Sequence, residues 1–135
     1  MLKIAIGQGE DIDAHSAIET AMDRCRAQLE ELTPQAGIVF SNIDFDHQPI
    51  LDAIHEKFGE IELIGCTTGG GFSSDMGFSD DAVNLILFHS DTIEIKAGIG
   101  FNVSIDPVSA VENALQHARD CLLYTSDAAD DSSVV

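Results

Sequence analysis

Short apolar runs alternate with amphipathic segments through the first half of the chain, and this alternation is the strongest constraint on the fold. The runs 3–7, 36–42 and 61–66 are rich in Ile, Val, Leu and Gly, as expected of buried strands. Two segments with apolar residues at helical spacing separate them. The first has its apolar side chains at Ala17, Ile18, Ala21, Met22, Cys25 and Leu29. Such alternation predicts parallel strands joined by right-handed crossovers.

The second half of the chain predicts an antiparallel addition to this sheet. Segments 82–89 and 92–100 are typical of strands, with a polar turn at 90–91 between them. Segment 107–120 predicts a third helix, with proline in its first turn. The expected order is β-α-β-α-β-β-β-α. This is an α/β fold with a mixed β-sheet and flanking helices.

An internal repeat links the two ends of the predicted domain. Residues 3–22 align without a gap on 96–115, and roughly half of the aligned positions match. Both copies carry the pattern Ile-Asp-x-x-Ser-Ala-x-Glu-x-Ala. The pattern predicts a duplication in which the second copy is partial. We therefore expect apolar surface to remain uncovered in this chain.

The C-terminal segment 121–135 differs in character from the rest of the chain. It reads Cys-Leu-Leu-Tyr-Thr-Ser followed by a Ser, Asp and Ala tail without periodicity. Its first part resembles a translated sequencing adapter, so we set it apart from the fold and expect it to be disordered. The predicted domain then spans residues 1–120, and the natural protein is expected to continue beyond Asp120.

The net charge limits the classes of binding partner, and the cysteine content indicates the cellular compartment. The formal net charge is −18, which disfavours nucleic acid and anionic membrane surfaces as partners. No run reaches the ~18 apolar residues of a membrane helix, and the polar start does not fit a signal peptide. Three cysteines without a CxxC pair argue against a disulfide framework. We expect an acidic cytoplasmic protein without a membrane segment.

A loop of glycines and threonines after the third predicted strand is the candidate ligand site. Ligands of open α/β sheets bind at the carboxyl ends of the strands, where glycines allow close approach to the backbone. Threonine hydroxyls add donors and acceptors for a polar group. The end of the neighbouring strand should lie at the same edge. The candidate ligand-binding residues are Ser41, Asn42, Cys66, Thr67, Thr68, Gly69 and Gly70.

Other interpretations of these residues remain open. A phosphate cradle would need a following helix and a Lys, which the loop lacks, and a glycine turn without any ligand is the plain alternative. A nucleophilic Cys66 would need a base and an electropositive setting. The acids of 44–47 suit helix capping better than a metal site, so we expect no metal. A haem ligand cannot be chosen from the scattered residues His15, His55, His89 and His117.

Two stretches carry a family resemblance. Gly-Ile-Val-Phe-Ser-Asn-Ile-Asp-Phe-Asp at 37–46 and Glu-Leu-Ile-Gly-Cys-Thr-Thr-Gly-Gly at 62–70 resemble the N-terminal FIST domain. The resemblance extends over nearly all of residues 3–120. The chain departs from the family pattern at Gly71, where members often carry Glu.

The resemblance implies a sensory module of bacterial signal transduction that binds small ligands such as amino acids and is not an enzyme. Its implied partners are signalling proteins such as a histidine kinase or a cyclic-dinucleotide enzyme. A C-terminal FIST domain, the usual companion, is absent from this sequence. Two alternatives stay open, a haem-binding nitric-oxide sensor and, less favoured, an enzyme that uses Cys66.

Overall fold

The computed structural model describes residues 1–129, with side chains through residue 122. The chain forms two compact units, Met1–Ile93 and a second from Glu94 onward. Among residues 1–129, the first unit holds the strands and two helices, and the second holds one helix. In chain order the elements are β1 (Leu2–Glu10), α1 (Ala14–Leu29), β2 (Ala36–Asn42), α2 (His47–Phe58), β3 (Glu62–Thr68), β4 (Gly71–Ser73), β5 (Gly77–Ser79), β6 (Ala82–Ser90) and α3 (Pro107–Ala129).

The main sheet of the first unit has four strands in the order β1-β6-β2-β3. Strands β2 and β3 pair in parallel, as the strand–helix alternation predicts. Strand β6 lies between β1 and β2 and is antiparallel to both. The expected α/β fold with a mixed sheet and flanking helices is therefore confirmed.

The predicted hairpin between 82–89 and 92–100 is wrong. Both edges of β6 are occupied, one by β1 and the other by β2. No edge of β6 is left for the following segment, and 94–100 belongs to neither sheet of the described residues. The glycine-rich stretch expected to be a plain loop instead contains the short antiparallel hairpin β4–β5.

Helices α1 and α2 cover one face of the main sheet. All six α1 residues expected from helical spacing are fully buried there. They pack with Val83, Leu85 and Leu87 of β6 in a single core, and α2 adds Ile50 and Ile54. Removing this apolar surface from water is the main stabilising contribution to the unit.

Two glycines of β1 let α1 lie unusually close to the strand. A Cβ on Gly7 would come within 2.0 Å of the Ala21 carbonyl oxygen, and one on Gly9 within 1.7 Å of the Ala17 carbonyl oxygen. A side chain at either position would force the helix away from the sheet. This contact sets the position of α1 over β1.

The second unit repeats the same packing with α3. A Cβ on Gly98 would lie 1.9 Å from the Ala114 carbonyl oxygen, and one on Gly100 the same distance from that of Ala110. Residues 110 and 114 align with 17 and 21 in the predicted repeat, so the aligned alanines make the same contact in both units. Segment 94–100, to which no strand is assigned, thus takes the place of β1 against its helix.

The strand half of the repeat is shifted by two residues from the predicted alignment. Gly98 and Gly100 take the places of Gly7 and Gly9, whereas the alignment without a gap pairs Gly7 with Gly100. The second copy has a longer connection to its helix. There Asn102 adopts a left-handed conformation, with φ 63°, and its carbonyl oxygen accepts from the backbone N–H groups of residues 105 and 106.

The helix α3 also differs from its prediction at the C-terminal end. It continues beyond Asp120 to Ala129, so the helix includes the first part of segment 121–135. Residues 130–135 lie outside the described residues. The interpretation of this segment as adapter sequence stays a prediction. No helix in the described part of the chain has the length and apolar character needed to cross a bilayer.

The face of the main sheet opposite the helices is more open. Ile4 and Ile6 of β1 point to this side and are 46% and 44% exposed. The hairpin β4–β5 packs over one end of the face, where β4 contacts β6, β1 and β2. The space between this hairpin and the sheet is one of the two cavities described next.

Candidate functional site

The sheet divides the predicted ligand-binding residues between its two faces. Side chains of a strand point alternately to opposite sides. Ser41 and Thr67 are partners in the β2–β3 register and lie on the helix side. Thr68, the next residue of β3, lies on the open side with Phe40. The seven residues therefore do not converge on one site.

The first cavity lies on the helix side and has a volume of about 300 Å³. It includes three of the predicted residues, Ser41, Cys66 and Thr67, beside His47 and apolar side chains of α2. Ser41 is buried, and its hydroxyl donates to the Asn42 carbonyl oxygen over 3.3 Å. A role of these residues in binding stays a prediction.

The second cavity lies on the open side, beneath the hairpin β4–β5, and has a volume of about 480 Å³. Its polar side chains are Thr68, Asn84, Ser73 and Ser74, and the predicted residue Gly70 lies in its wall. Its apolar lining consists of Ile6, Phe40, Phe72 and Ile86. A mostly apolar cavity of this size with a few polar groups is the usual form of a small-molecule site.

A buried polar network fixes Asn84 at this cavity. Asn84 Nδ2 donates to Gln8 Oε1 over 3.0 Å and to the Phe72 carbonyl oxygen over 3.1 Å. Because a carbonyl can only accept, the second bond determines which amide atom is the nitrogen. Gln8 Nε2 in turn donates to the Gly77 carbonyl oxygen over 3.2 Å. The network ties the hairpin to β1 and β6.

Two buried oxygens, on residues that line the second cavity, are left without a hydrogen-bond partner among the described residues. They are Thr68 Oγ1 and Asn84 Oδ1. Asn84 as a whole is only 8% exposed. An unsatisfied buried polar group costs about 1–3 kcal/mol, and buried polar groups in folded proteins are rarely left in this state. Thr68 and Asn84 both belong to the lining of the second cavity.

Two adjacent glycines shape the wall of the second cavity. Gly70 has φ 152°, and a Cβ there would meet the Phe78 ring at 2.9 Å. A Cβ on Gly71 would lie 2.0 Å from Asn84 Oδ1. Because Gly71 has no side chain, it leaves the space that the Asn84 amide occupies.

The remaining predicted residues have other positions. Asn42 is buried, but its amide already bonds within the protein, with Nδ2 donating to the Asp80 carbonyl oxygen and Oδ1 accepting from the Asp44 N–H. Gly69 lines neither of the two cavities.

Asn84 is a residue of the second cavity that was not among the predicted ligand-binding residues. Its signal is a single polar residue in the middle of the apolar run 82–88.

The cysteines and histidines offer limited chemistry. Burial raises the pKa of the Cys25 thiol to about 12, so this thiol stays protonated at neutral pH. Cys66 is exposed and borders the first cavity together with His47, whose Nε2 lies 3.1 Å from the Asn42 carbonyl oxygen. Within the described residues, no three His, Cys, Asp or Glu side chains are grouped to hold a metal ion.

Comparison with known proteins places the chain in a family. Residues 35–135, well over half of the chain, match the FIST N domain family. No curated protein matches the chain. The matched region contains β2, β3, the hairpin β4–β5 and β6, and hence most of the lining of both cavities. The chain belongs to the FIST N domain family, a family of sensory domains implicated in signal transduction.

Proposed function

We propose that the first unit is a ligand-binding sensor, and not an enzyme, and that it binds a small amphipathic amine in the second cavity. One observation carries the proposal: Thr68 Oγ1 and Asn84 Oδ1, on two residues that line this cavity, are buried without partners among the described residues. An amino group supplies the donors that both oxygens can accept. The candidate ligands are amino acids and related metabolites.

The apolar lining of the second cavity and the net charge of the chain support the apolar body and the positive charge of the proposed ligand. Phe40, Phe72 and Ile86 offer apolar surface, which favours an aliphatic or aromatic body on the ligand. The net charge of −18 raises the local concentration of cations and so favours a protonated amine over an anion. Apolar amino acids and the amines derived from them fit this combination.

The hairpin β4–β5 offers a route from binding to signalling. It is held to the sheet through the bond from Asn84 to the Phe72 carbonyl oxygen, next to the proposed ligand position. A ligand shifts an equilibrium only as far as it binds one state better than the other. Ligand bonds to Asn84 would favour the state with the hairpin in place. A cytoplasmic partner such as a histidine kinase or a cyclic-dinucleotide enzyme would respond to that state.

The first test is a thermal-shift screen of the full chain against matched sets of compounds. Each set contains an apolar amino acid, the amine without the carboxylate and the acid without the amino group. We expect both amino compounds to raise the unfolding midpoint and the deaminated acid to leave it unchanged. Binding adds about 2.7 kcal/mol of stability at a hundredfold excess over Kd.

The variant Thr68→Val locates the site, because it removes the hydroxyl and keeps the shape of the side chain. We expect affinity for the amine to fall about tenfold, the loss of roughly one hydrogen bond. The unliganded variant should be as stable as the parent or more stable, because an unpaired buried hydroxyl is destabilising. The matched control is Thr67→Val, which removes the neighbouring hydroxyl on the opposite face and should leave affinity unchanged.

Three other results would favour a different site or a different function. A loss of affinity in Thr67→Val but not in Thr68→Val would move the site to the first cavity. Haem is included in the same screen, and a Soret band without any response to amines would favour a gas sensor. If alkylation of exposed Cys66 abolished a catalytic activity, the enzyme interpretation would replace the sensor.

A further inference from the structure

The hydrogen bonds around Gln8 determine which way the Asn84 amide faces. Gln8 is buried, and its Nε2 donates to the Gly77 carbonyl oxygen over 3.2 Å and to Glu10 Oε1 over 3.1 Å. A carbonyl and an ionised carboxylate can only accept, so the nitrogen end of the Gln8 amide must face them. Gln8 Oε1 therefore faces Asn84 and accepts from its Nδ2 over 3.0 Å.

The same bonds keep the nitrogen of Asn84 from pairing with a bound carboxylate. Nδ2 has two hydrogens, and both are donated within the protein, one to Gln8 Oε1 and one to the Phe72 carbonyl oxygen. Turning the amide around would place its oxygen against two other acceptors. Among the described lining residues, the side-chain donors left for an anion are the neutral hydroxyls of Thr68, Ser73 and Ser74.

The segment that forms most of the second cavity carries negative charge and no positive charge. Segment 68–88 supplies eight of the ten lining residues. It contains Asp75, Asp80 and Asp81 and no Lys, Arg or His. Arg24 of α1 reaches this segment, but its guanidinium already donates to Asp75 over 2.6 Å. An anion in the cavity would therefore meet like charges without a paired cation.

An α-amino acid would carry its carboxylate into this setting. The carboxylate is attached to the same carbon as the amino group. The oxygens proposed to hold that amino group, Thr68 Oγ1 and Asn84 Oδ1, are both buried. Removing an ion from water without a partner of opposite charge is strongly unfavourable. An amine without the carboxylate avoids this cost and keeps the same hydrogen bonds.

We propose that the second cavity selects primary amines that lack an α-carboxylate, such as decarboxylated apolar amino acids, over the amino acids themselves. The inference rests on the proposed amine site and narrows its ligand class. Phe40 and Phe72 in the lining suit an aromatic or branched apolar body. For compounds with the same body, the amine should bind at least about tenfold more tightly than the amino acid.

The test is titration calorimetry of the full chain with matched probes. One set is phenylalanine, phenylalaninamide and 2-phenylethylamine, and the other is leucine, leucinamide and 3-methylbutylamine. The amide replaces the carboxylate with a neutral group of nearly the same size, which separates the effect of charge from that of size. We expect both probes without a carboxylate to bind at least about tenfold more tightly than the amino acid of their set.

The variant Ser74→Arg places a cation at the cavity, at an exposed position in the turn between β4 and β5. We expect affinity for phenylalanine to rise relative to affinity for 2-phenylethylamine, so that the preference for the amine falls about tenfold. The matched control is Gln116→Arg, which adds the same charge at an exposed position of α3 in the second unit. It should leave the preference unchanged.

Equal affinity for the amine and the amino acid, or tighter binding of the amino acid, would overturn this selectivity and leave the amine site itself in place. An unchanged preference in Ser74→Arg, or an equal change in Gln116→Arg, would also overturn it, because the selectivity would then not arise at the cavity. Binding of none of the probes would contradict the proposed function and this inference together.

Discussion

The position of the Asn84 amide requires a glycine at position 71. A Cβ on Gly71 would lie only 2.0 Å from Asn84 Oδ1. On its other side the amide is fixed, because Nδ2 donates to Gln8 Oε1 and to the Phe72 carbonyl oxygen. The two positions are thus coupled through space. A larger side chain at position 71 would require a different arrangement of this amide.

We predict that Gly71→Ala destabilises the first unit by about 1–3 kcal/mol, because Asn84 must move and break its buried hydrogen bonds. The matched control is Gly69→Ala, since a Cβ there would meet no atom within 4 Å. We expect that control to change stability by less than about 0.5 kcal/mol. Urea denaturation followed by circular dichroism measures both. Equal stability of the two variants would show that Asn84 is free to adjust.

At the scale of elements, the start of each repeat helix depends on one ionised carboxylate. The pKa of Asp13 is lowered, first by the backbone N–H of Ser16 and then by its hydroxyl. The pKa of Asp106 is lowered by the same groups of Ser109. Both helices combine this cap with an N-terminus that favours negative charge.

We predict that both caps weaken in acid. Because the folded-state pKa lies below the ordinary 3.8, each cap stabilises the protein above that value and is lost as the pH falls through the folded-state pKa. Carboxyl NMR titration measures the two values directly. Asp13→Asn is the control, because it keeps an oxygen acceptor and should remove the pH dependence of its helix. Titration of both carboxyls at 3.8 or above would contradict the cap assignment.

At the scale of the whole molecule, like charges dominate. The chain has 24 acidic side chains and 6 basic ones, so most carboxylates have no cation nearby to pair with. Repulsion of this kind destabilises the compact state and is screened by salt. The ion pairs present, such as Lys57 with Asp23 and Arg24 with Asp75, are at the surface and contribute little.

We predict that sodium chloride raises the thermal midpoint, by a few degrees between about 0.02 M and 0.5 M, because screening relieves more repulsion than attraction. Potassium chloride at the same ionic strength is the control and should give the same rise. A midpoint that falls with salt would mean that the few ion pairs outweigh the repulsion. A rise with only one of the two cations would indicate specific ion binding instead of screening.

Much of the fold was predictable because the relevant signals are local. The six buried residues of α1, the parallel pair β2–β3 and the helical half of the repeat all follow from residue spacing. Strand order was not predictable in this way. The apolar run of β6 looks the same whether it pairs with the next segment or inserts between β1 and β2, and only the competition for its two edges decides.

The candidate site shows the same division. Sequence alone determined the family, the mixed α/β class and the glycine–threonine strand end, because each depends on residues close together along the chain. Only the tertiary structure decided that Thr67 and Thr68 line different cavities and that Asn84 lines the same cavity as Thr68. The physical reason is that a sheet has two faces and that β6 brings Asn84 to this one through pairings between distant residues.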